Sequence, residues 1–179
     1  MLLYLMKLTQ PNLCNATREL YKAMDGANPA ALRELMRVIK YAINTKDLGL
    51  RFQPNFAKGM PWELILFTDS DYATDPDTRR SVSGFVLYVC GVSVSWRSKS
   101  QRSVTLSSSE AEYVSLSEAV KEVMFVIQVL EGMKIKVKFP IVVRVDNIGA
   151  IFMSKNVTTT SRTKHVDVRY KYVNEYVED

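Results

Sequence analysis

Three acidic motifs carry the residues that could do chemistry. Asp69 and Asp71 close the run Glu63-Leu-Ile-Leu-Phe-Thr-Asp-Ser-Asp, Glu110 and Glu112 lie in Ser107-Ser-Ser-Glu-Ala-Glu, and Asp146 closes Ile141-Val-Val-Arg-Val-Asp-Asn. Oxygen-only side chains from separate segments are what a hard divalent cation takes as ligands. Two such ions about 3.5–4 Å apart would stabilise both oxygens of an in-line phosphoryl displacement. Each motif also has an ordinary reading. Aspartate is common where strands stop, so Asp-x-Asp alone leaves a solvated turn and a metal ligand equally open. Glu110 follows a capping serine by three residues, which is an ordinary helix start. Glu112 is less easily left to solvent. It stands one turn before Leu116, near the side that must pack, and a carboxylate there wants a cation or a donor. The two cysteines, Cys14 and Cys90, are far apart and in no metal-binding spacing, and read as buried thiols in a reducing compartment.

The elements that would position these acids can be read from periodicity. The unbroken apolar run Leu64 to Phe67 predicts a strand buried on both faces. Thr74 to Ser81 is a loop, and its Arg79 and Arg80 could hold phosphate or neutralise Asp75 and Asp77; both readings stand. Gly84 to Cys90 and Val92 to Trp96 are strands turned by Gly91, giving an antiparallel meander. Lys99, Gln101 and Arg102 form a polar, basic connection. Thr105 to Leu130 then predicts a long helix with serines at its cap and acids in its first turn. Its apolar face holds Val114, Leu116, Val120, Val123, Met124, Ile127 and Leu130. If it packs on the meander, Glu112 can approach Asp69. Ile141 to Val145 predicts a further buried strand, followed by a helix from Gly149 to about Lys155. That order puts Asp146 at the carboxyl end of a parallel strand, where ligands gather in open α/β sheets.

Residues 1–52 read as helical. Asn12 is expected to cap a helix running to Met24, stopped by Asp25-Gly26. Asn28-Pro29 starts a second, with Leu32, Leu35, Met36, Ile39 and Ile43 as its apolar stripe and Gly49 at its end. Arg33, Arg37 and Lys40 lie off that stripe and read as a solvated face. Residues 53–61 hold two prolines and a glycine and serve as a linker. A second domain, 62–179, follows. The 179 residues are 47% apolar and 24% charged, ordinary values for a globular chain. The net charge of +5 is compatible with a polyanionic partner. No run approaches the ~18 apolar residues of a membrane span. The apolar first six residues are too short and are broken by Lys7, so neither a membrane segment nor a signal peptide is expected.

This order of strand, Thr-Asp, hairpin, helix glutamate, strand and Asp-Asn resembles ribonuclease H, and in wording the ribonuclease H region of copia-type retrotransposon Pol polyproteins. The matching pieces are Asp71-Tyr-Ala-x-Asp-Pro-Asp-x-Arg-Arg-Ser-x-Ser-Gly-Phe, Ser95-Trp-x-Ser-Lys-x-Gln, Leu106-Ser-Ser-Ser-Glu-Ala-Glu-Tyr, Asp146-Asn-x-x-Ala-Ile and Ser161-Arg-Thr-Lys-His-Val-Asp-Val-Arg-Tyr. The helices before them, with Tyr4, Arg37, Tyr41 and Gly49-Leu50, resemble the tail of the preceding reverse transcriptase.

The resemblance implies an α/β ribonuclease H-like fold: a mixed sheet, antiparallel meander then parallel strand, with helices packed on it and a helical hairpin in front. It implies an endonuclease cutting the RNA strand of RNA–DNA hybrids with Mg2+ or Mn2+. Asp69, Glu112 and Asp146 would be the catalytic metal ligands, with Asp71 and Glu110 as second choices. Ser107, Ser108, Ser109 and Asn147 would touch the hybrid backbone, beside the 2′-hydroxyl that separates RNA from DNA. Arg79, Arg80, Lys99, Arg102, Arg162 and Lys164 would meet phosphates. The rest of the Pol polyprotein becomes a partner, and the location cytoplasmic, or a virus-like particle for an active element. One departure follows from the same resemblance. The family carries a fourth aspartate after a fifth strand, beyond the Lys-His-x-Asp segment, and the sequence stops at Asp179 before either. His165 and Asp167 match the helix before that strand, implying a structural or substrate-side place. A weakened second metal site and an unpaired sheet edge are then expected. An alternative is a truncated, weakly active or inactive fragment that keeps the fold and binds nucleic acid.

Overall fold

The apolar runs that lead into Asp69 and Asp146 become neighbouring strands of one mixed sheet. In a computed structural model, residues 1–26, 28–55, 57–156 and 172–176 are described. Their helices are α1 (Leu2–Leu8), α2 (Cys14–Lys22), α3 (Pro29–Asn44), α4 (Ser108–Gly132) and α5 (Ile148–Lys155), and their strands β1 (Leu64–Asp71), β2 (Val82–Val89), β3 (Val92–Ser100) and β4 (Val142–Arg144). The sheet order is β3-β2-β1-β4, with β1–β2 and β2–β3 antiparallel and β4 parallel to β1. The β2–β3 hairpin turns through Cys90 and Gly91, whose φ angles are 49° and 80°. Two left-handed residues match the twist of flanking strands, and Gly91 takes that conformation without cost. The Cys90 N–H donates to the Glu63 carbonyl, and its carbonyl accepts from Asn55 N–H, both at 2.8 Å. These bonds hold a non-glycine residue where it is disfavoured.

Helix α4 covers one face of the sheet. Leu64, Leu66, Phe85, Leu87 and Val89 meet Tyr113, Leu116, Val120, Val123, Ile127 and Leu130 in one core. Ala111 and Ala119 are fully buried, so the helix backbone can sit close to the strands. The turn of 3-10 helix Tyr172–Glu175 closes this core: Val173 is fully buried, the Tyr113 hydroxyl donates to Asn174 Oδ1, and Asn174 Nδ2 donates to the Met153 carbonyl at 2.9 Å. Gln101 is the polar tie between layers. Its Nε2 donates to Ser83 Oγ and to the Ala111 carbonyl, each at 2.9 Å, and the residue is 2% exposed. Gln101→Ala is expected to destabilise the fold by about 2–4 kcal/mol through a cavity plus two stranded polar groups, measured by urea unfolding.

Four expectations need correcting. First, β1 is buried on one face only: Leu64, Leu66 and Thr68 are buried, while Phe67 is 45% exposed. The reason is that α4 covers just one side. The other face is met by the N-terminal helices near β3, where Trp96 Nε1 donates to the Met6 carbonyl at 2.6 Å and Arg18 Nη1 to Ser100 Oγ at 3.3 Å. Second, β4 is exposed rather than buried, because among the described residues only β1 pairs with it. Third, Asn12 caps no helix. It lies in the 3-10 turn Pro11–Leu13, and its Nδ2 donates to the Tyr41 hydroxyl at 2.6 Å. Pro11, fixed in φ, has already begun that turn.

Fourth, α3 forms where expected, with Asn28 Oδ1 accepting from Ala31 N–H at 2.8 Å, but it ends at Asn44, before Gly49. Its stripe is largely open as well: Leu32, Met36 and Ile43 are more than half exposed and Val38 is the buried residue. The nine-residue α2 is too short to cover it. None of the described helices is long and apolar enough to cross a membrane.

Candidate metal centre

The parallel pairing of β1 with β4 brings two acids side by side. Phe67 pairs with Arg144; Asp69 stands two residues further along β1, and Asp146 two residues past the end of β4. Adjacent strands lie about 4.8 Å apart, so carboxylates at matched positions become neighbours. Glu112 arrives from the first turns of α4, whose N-cap is Ser107. One oxygen from each of Asp69, Glu112 and Asp146 lies within 4.8 Å of the others. Asp69 and Asp146 are exposed, and Glu112 is 5% exposed.

Glu112 is held asymmetrically. Its Oε1 accepts from Ser70 N–H at 2.9 Å and from Ser70 Oγ at 3.0 Å. Its Oε2 is buried without a hydrogen-bond partner. A buried carboxylate oxygen left unmatched beside two further carboxylates is costly, and a cation answers both problems. The all-oxygen donor set fits a hard divalent ion. Burial raises the Glu112 carboxyl above its ordinary value; the two Ser70 bonds oppose this, and Asp69 adds to it, by its charge and as a hydrogen-bond partner for the protonated form. The native protein therefore binds a proton more readily at Glu112 than the unfolded chain does. Without divalent ions, stability should fall as pH rises from about the ordinary 4.5 through the raised native value. Glu112→Gln should flatten that slope, as read from urea unfolding in chelator across this range.

The remaining expected site residues sort by position. Asp71 ends β1, exposed and outside the trio. Glu110 serves the helix start: its Oε2 accepts from Leu106 N–H at 2.7 Å, while Ser107 Oγ accepts from Glu110 N–H at 3.2 Å. That reciprocal arrangement is close to a capping box. Ser108 opens α4, and Ser109 faces Gly149 at the start of α5. Asn147 caps α5 through Oδ1, which accepts from Ala150 N–H at 3.1 Å.

Asp71, Val82 and Ser100 share one row of the sheet, so Arg79, Arg80, Lys99 and Arg102 border the same end as the acids. All four are exposed. Arg79 and Arg80 do not neutralise Asp75. Lys22 does, at 2.8 Å, and with two bonds from Thr78 it holds that carboxyl well below the usual carboxylate range. Arg162, Lys164, His165 and Asp167 lie outside the described residues. An open cavity of about 600 Å3 borders Asp69 and Asp146, with Phe67, Trp96, Arg144 and Asn12 on its walls.

Three residues that shape the site were not singled out from the sequence. Ser70 faces α4, as the two-residue period of a strand requires of the position between Asp69 and Asp71. Ser115 Oγ donates to the Asp69 carbonyl at 2.8 Å and meets Thr68 Oγ1 at 2.9 Å, pinning the end of β1 to α4. Gly149 lets α5 approach α4, since a Cβ there would stand 2.8 Å from Ser109 Cβ. The last two have no local signal.

The chain aligns over 95% of its length, at 31% identity, with a retrovirus-related Pol polyprotein from transposon RE2 of Arabidopsis thaliana. It aligns over 99%, at 33% identity, with the Pol polyprotein from transposon TNT 1-94 of Nicotiana tabacum. The chain belongs to the copia-type retrotransposon Pol family. It spans 11% and 13% of those two polyproteins. A secreted RxLR effector protein, number 161, of Plasmopara viticola is 39% identical over 69% of this chain and 84% of that protein. No family model and no solved structure matches the chain.

Proposed function

We propose that this Pol segment is a ribonuclease H-type nuclease, cutting the RNA strand of RNA–DNA hybrids, with a helical reverse-transcriptase tail at residues 1–52. The observation that carries this reading is the meeting of Asp69, Glu112 and Asp146, with Glu112 Oε2 buried and unmatched. Those three carboxylates would hold Mg2+ or Mn2+, which supplies Lewis-acid stabilisation of charge on a phosphoryl oxygen when bound. The protein's own residues do the rest. Because Asp69 and Asp146 are exposed, an ion held between them and Glu112 would be reachable by an incoming phosphodiester. Arg79, Arg80, Lys99 and Arg102, exposed at the same end of the sheet, would draw the nucleic-acid backbone toward the carboxylates. The serines opening α4 offer small polar groups beside the acids, suited to a 2′-hydroxyl.

The test is a hybrid with labelled RNA, incubated with the chain in Mg2+ or in chelator, beside the matching DNA duplex. Cleavage of RNA in the hybrid alone, dependent on Mg2+, is expected. Salt-sensitive hybrid binding without cleavage would replace this reading by that of a non-cutting binder.

A further inference from the structure

The residue between the two aspartates of β1 does more than separate them. Ser70 gives both its N–H and its hydroxyl to the same oxygen, Glu112 Oε1, at 2.9 and 3.0 Å. This leaves Oε2, the atom without a partner, as the oxygen free to meet a cation. Ser70 is also bonded through the chain to Asp69, so one stretch of backbone fixes two of the three carboxylates. Glutamate has three side-chain torsions and would otherwise sample several rotamers in this position. The backbone N–H alone takes one acceptor site of a carboxylate oxygen and leaves that oxygen free to turn about it. With the hydroxyl added, both acceptor sites of one oxygen are filled from one residue, which holds the side chain in place and leaves the other oxygen for a further partner. The neighbouring tie, Ser115 Oγ to the Asp69 carbonyl at 2.8 Å, acts on the backbone and leaves the Glu112 rotamer alone.

We infer that Ser70 is a positioning residue: its hydroxyl locks Glu112 in the rotamer that turns Oε2 toward Asp69 and Asp146, and so sets the affinity of the site for a divalent cation. The inference rests on the metal reading above and adds the device that prepares the site before any ion arrives. Groups that orient metal ligands from behind commonly change affinity 10–100-fold when removed. Ser70→Ala keeps the N–H donor, so the lower end is expected.

The experiment titrates Mn2+ into the whole chain and follows free Mn2+ by electron paramagnetic resonance. Ser70→Ala should bind about tenfold more weakly than wild type, and Ser70→Thr, which keeps the hydroxyl, within about threefold of it. Thermal unfolding in chelator is the second reading, and all three proteins should coincide there within a few degrees. Equal Mn2+ affinity in wild type and Ser70→Ala overturns the inference and leaves the metal site standing. Equal weakening in the Ala and Thr variants, with lowered unfolding temperatures, also overturns it, in favour of a packing role. Absence of Mn2+ binding in wild type, or binding indifferent to Asp69→Asn, removes the metal reading itself and the inference with it.

Discussion

Asp146→Asn is expected to lower Mg2+-dependent hybrid cleavage by about 10³-fold or more, since a ligated ion stabilises transition-state charge by several kcal/mol and each 1.4 kcal/mol is tenfold in rate. The same change should leave the ion-free fold as stable as wild type or slightly more so. Asp146, Asp69 and Glu112 bring ligand oxygens within 4.8 Å of one another, and without a cation they repel. Two of the three are exposed, so water screens most of that repulsion. Its relief is worth about 1 kcal/mol or less. The two magnitudes separate the roles. A side chain that mattered for packing would lose stability along with rate. A metal ligand loses rate alone, and with it the rise in unfolding temperature that Mg2+ gives wild type. Cleavage and thermal unfolding, each with and without Mg2+, read both effects.

Gly149→Val should act on the same site from behind. A Cβ at Gly149 would stand 2.3 Å from Ser109 Oγ, 2.8 Å from Ser109 Cβ and 3.1 Å from Asn147 Oδ1. Rotating Ser109 relieves the first contact but not the second, because Cβ is fixed by the α4 backbone. The start of α5 must move away, and it carries the Asn147 cap and, one residue earlier, Asp146. Overpacking of this kind costs about 1–3 kcal/mol, and loss of the cap about 1 more. Divalent affinity should fall at least about tenfold, because Asp146 leaves the trio. Ser109→Gly removes the obstructing Cβ. In urea unfolding the double variant should be destabilised by less than the sum of the two single variants, by more than about 1 kcal/mol, despite the helix cost of the added glycine.

What the sequence revealed and what it hid divide along physical lines. Local periodicity found β1, the β2–β3 hairpin, the cap and length of α4 and the start of α3, because each is set by neighbours in the chain. The order of strand–Asp, helix–Glu, strand–Asp was enough to bring forward Asp69, Glu112 and Asp146. It could not say how each is held. Ser70 was within reach, since the strand period points it at α4. Ser115 and Gly149 were not, because their importance lies in atoms that only packing brings near. Burial was misread for the same reason. Phe67 and the β4 valines look like interior residues, yet only one face of β1 and one edge of β4 find partners among the described residues. Lys22 and Asp75, 53 residues apart, pair in space, whereas the arginines a few positions from Asp75 do not.

The most direct measurement is a crystal of the chain grown with Mn2+ and examined by anomalous scattering. The account predicts a Mn2+ peak bounded by Asp69, Glu112 and Asp146, with Glu112 contributing Oε2 and Ser70 still on Oε1. A trio free of metal at millimolar Mn2+, or an ion held by Asp71 or Glu110 in its place, would contradict it.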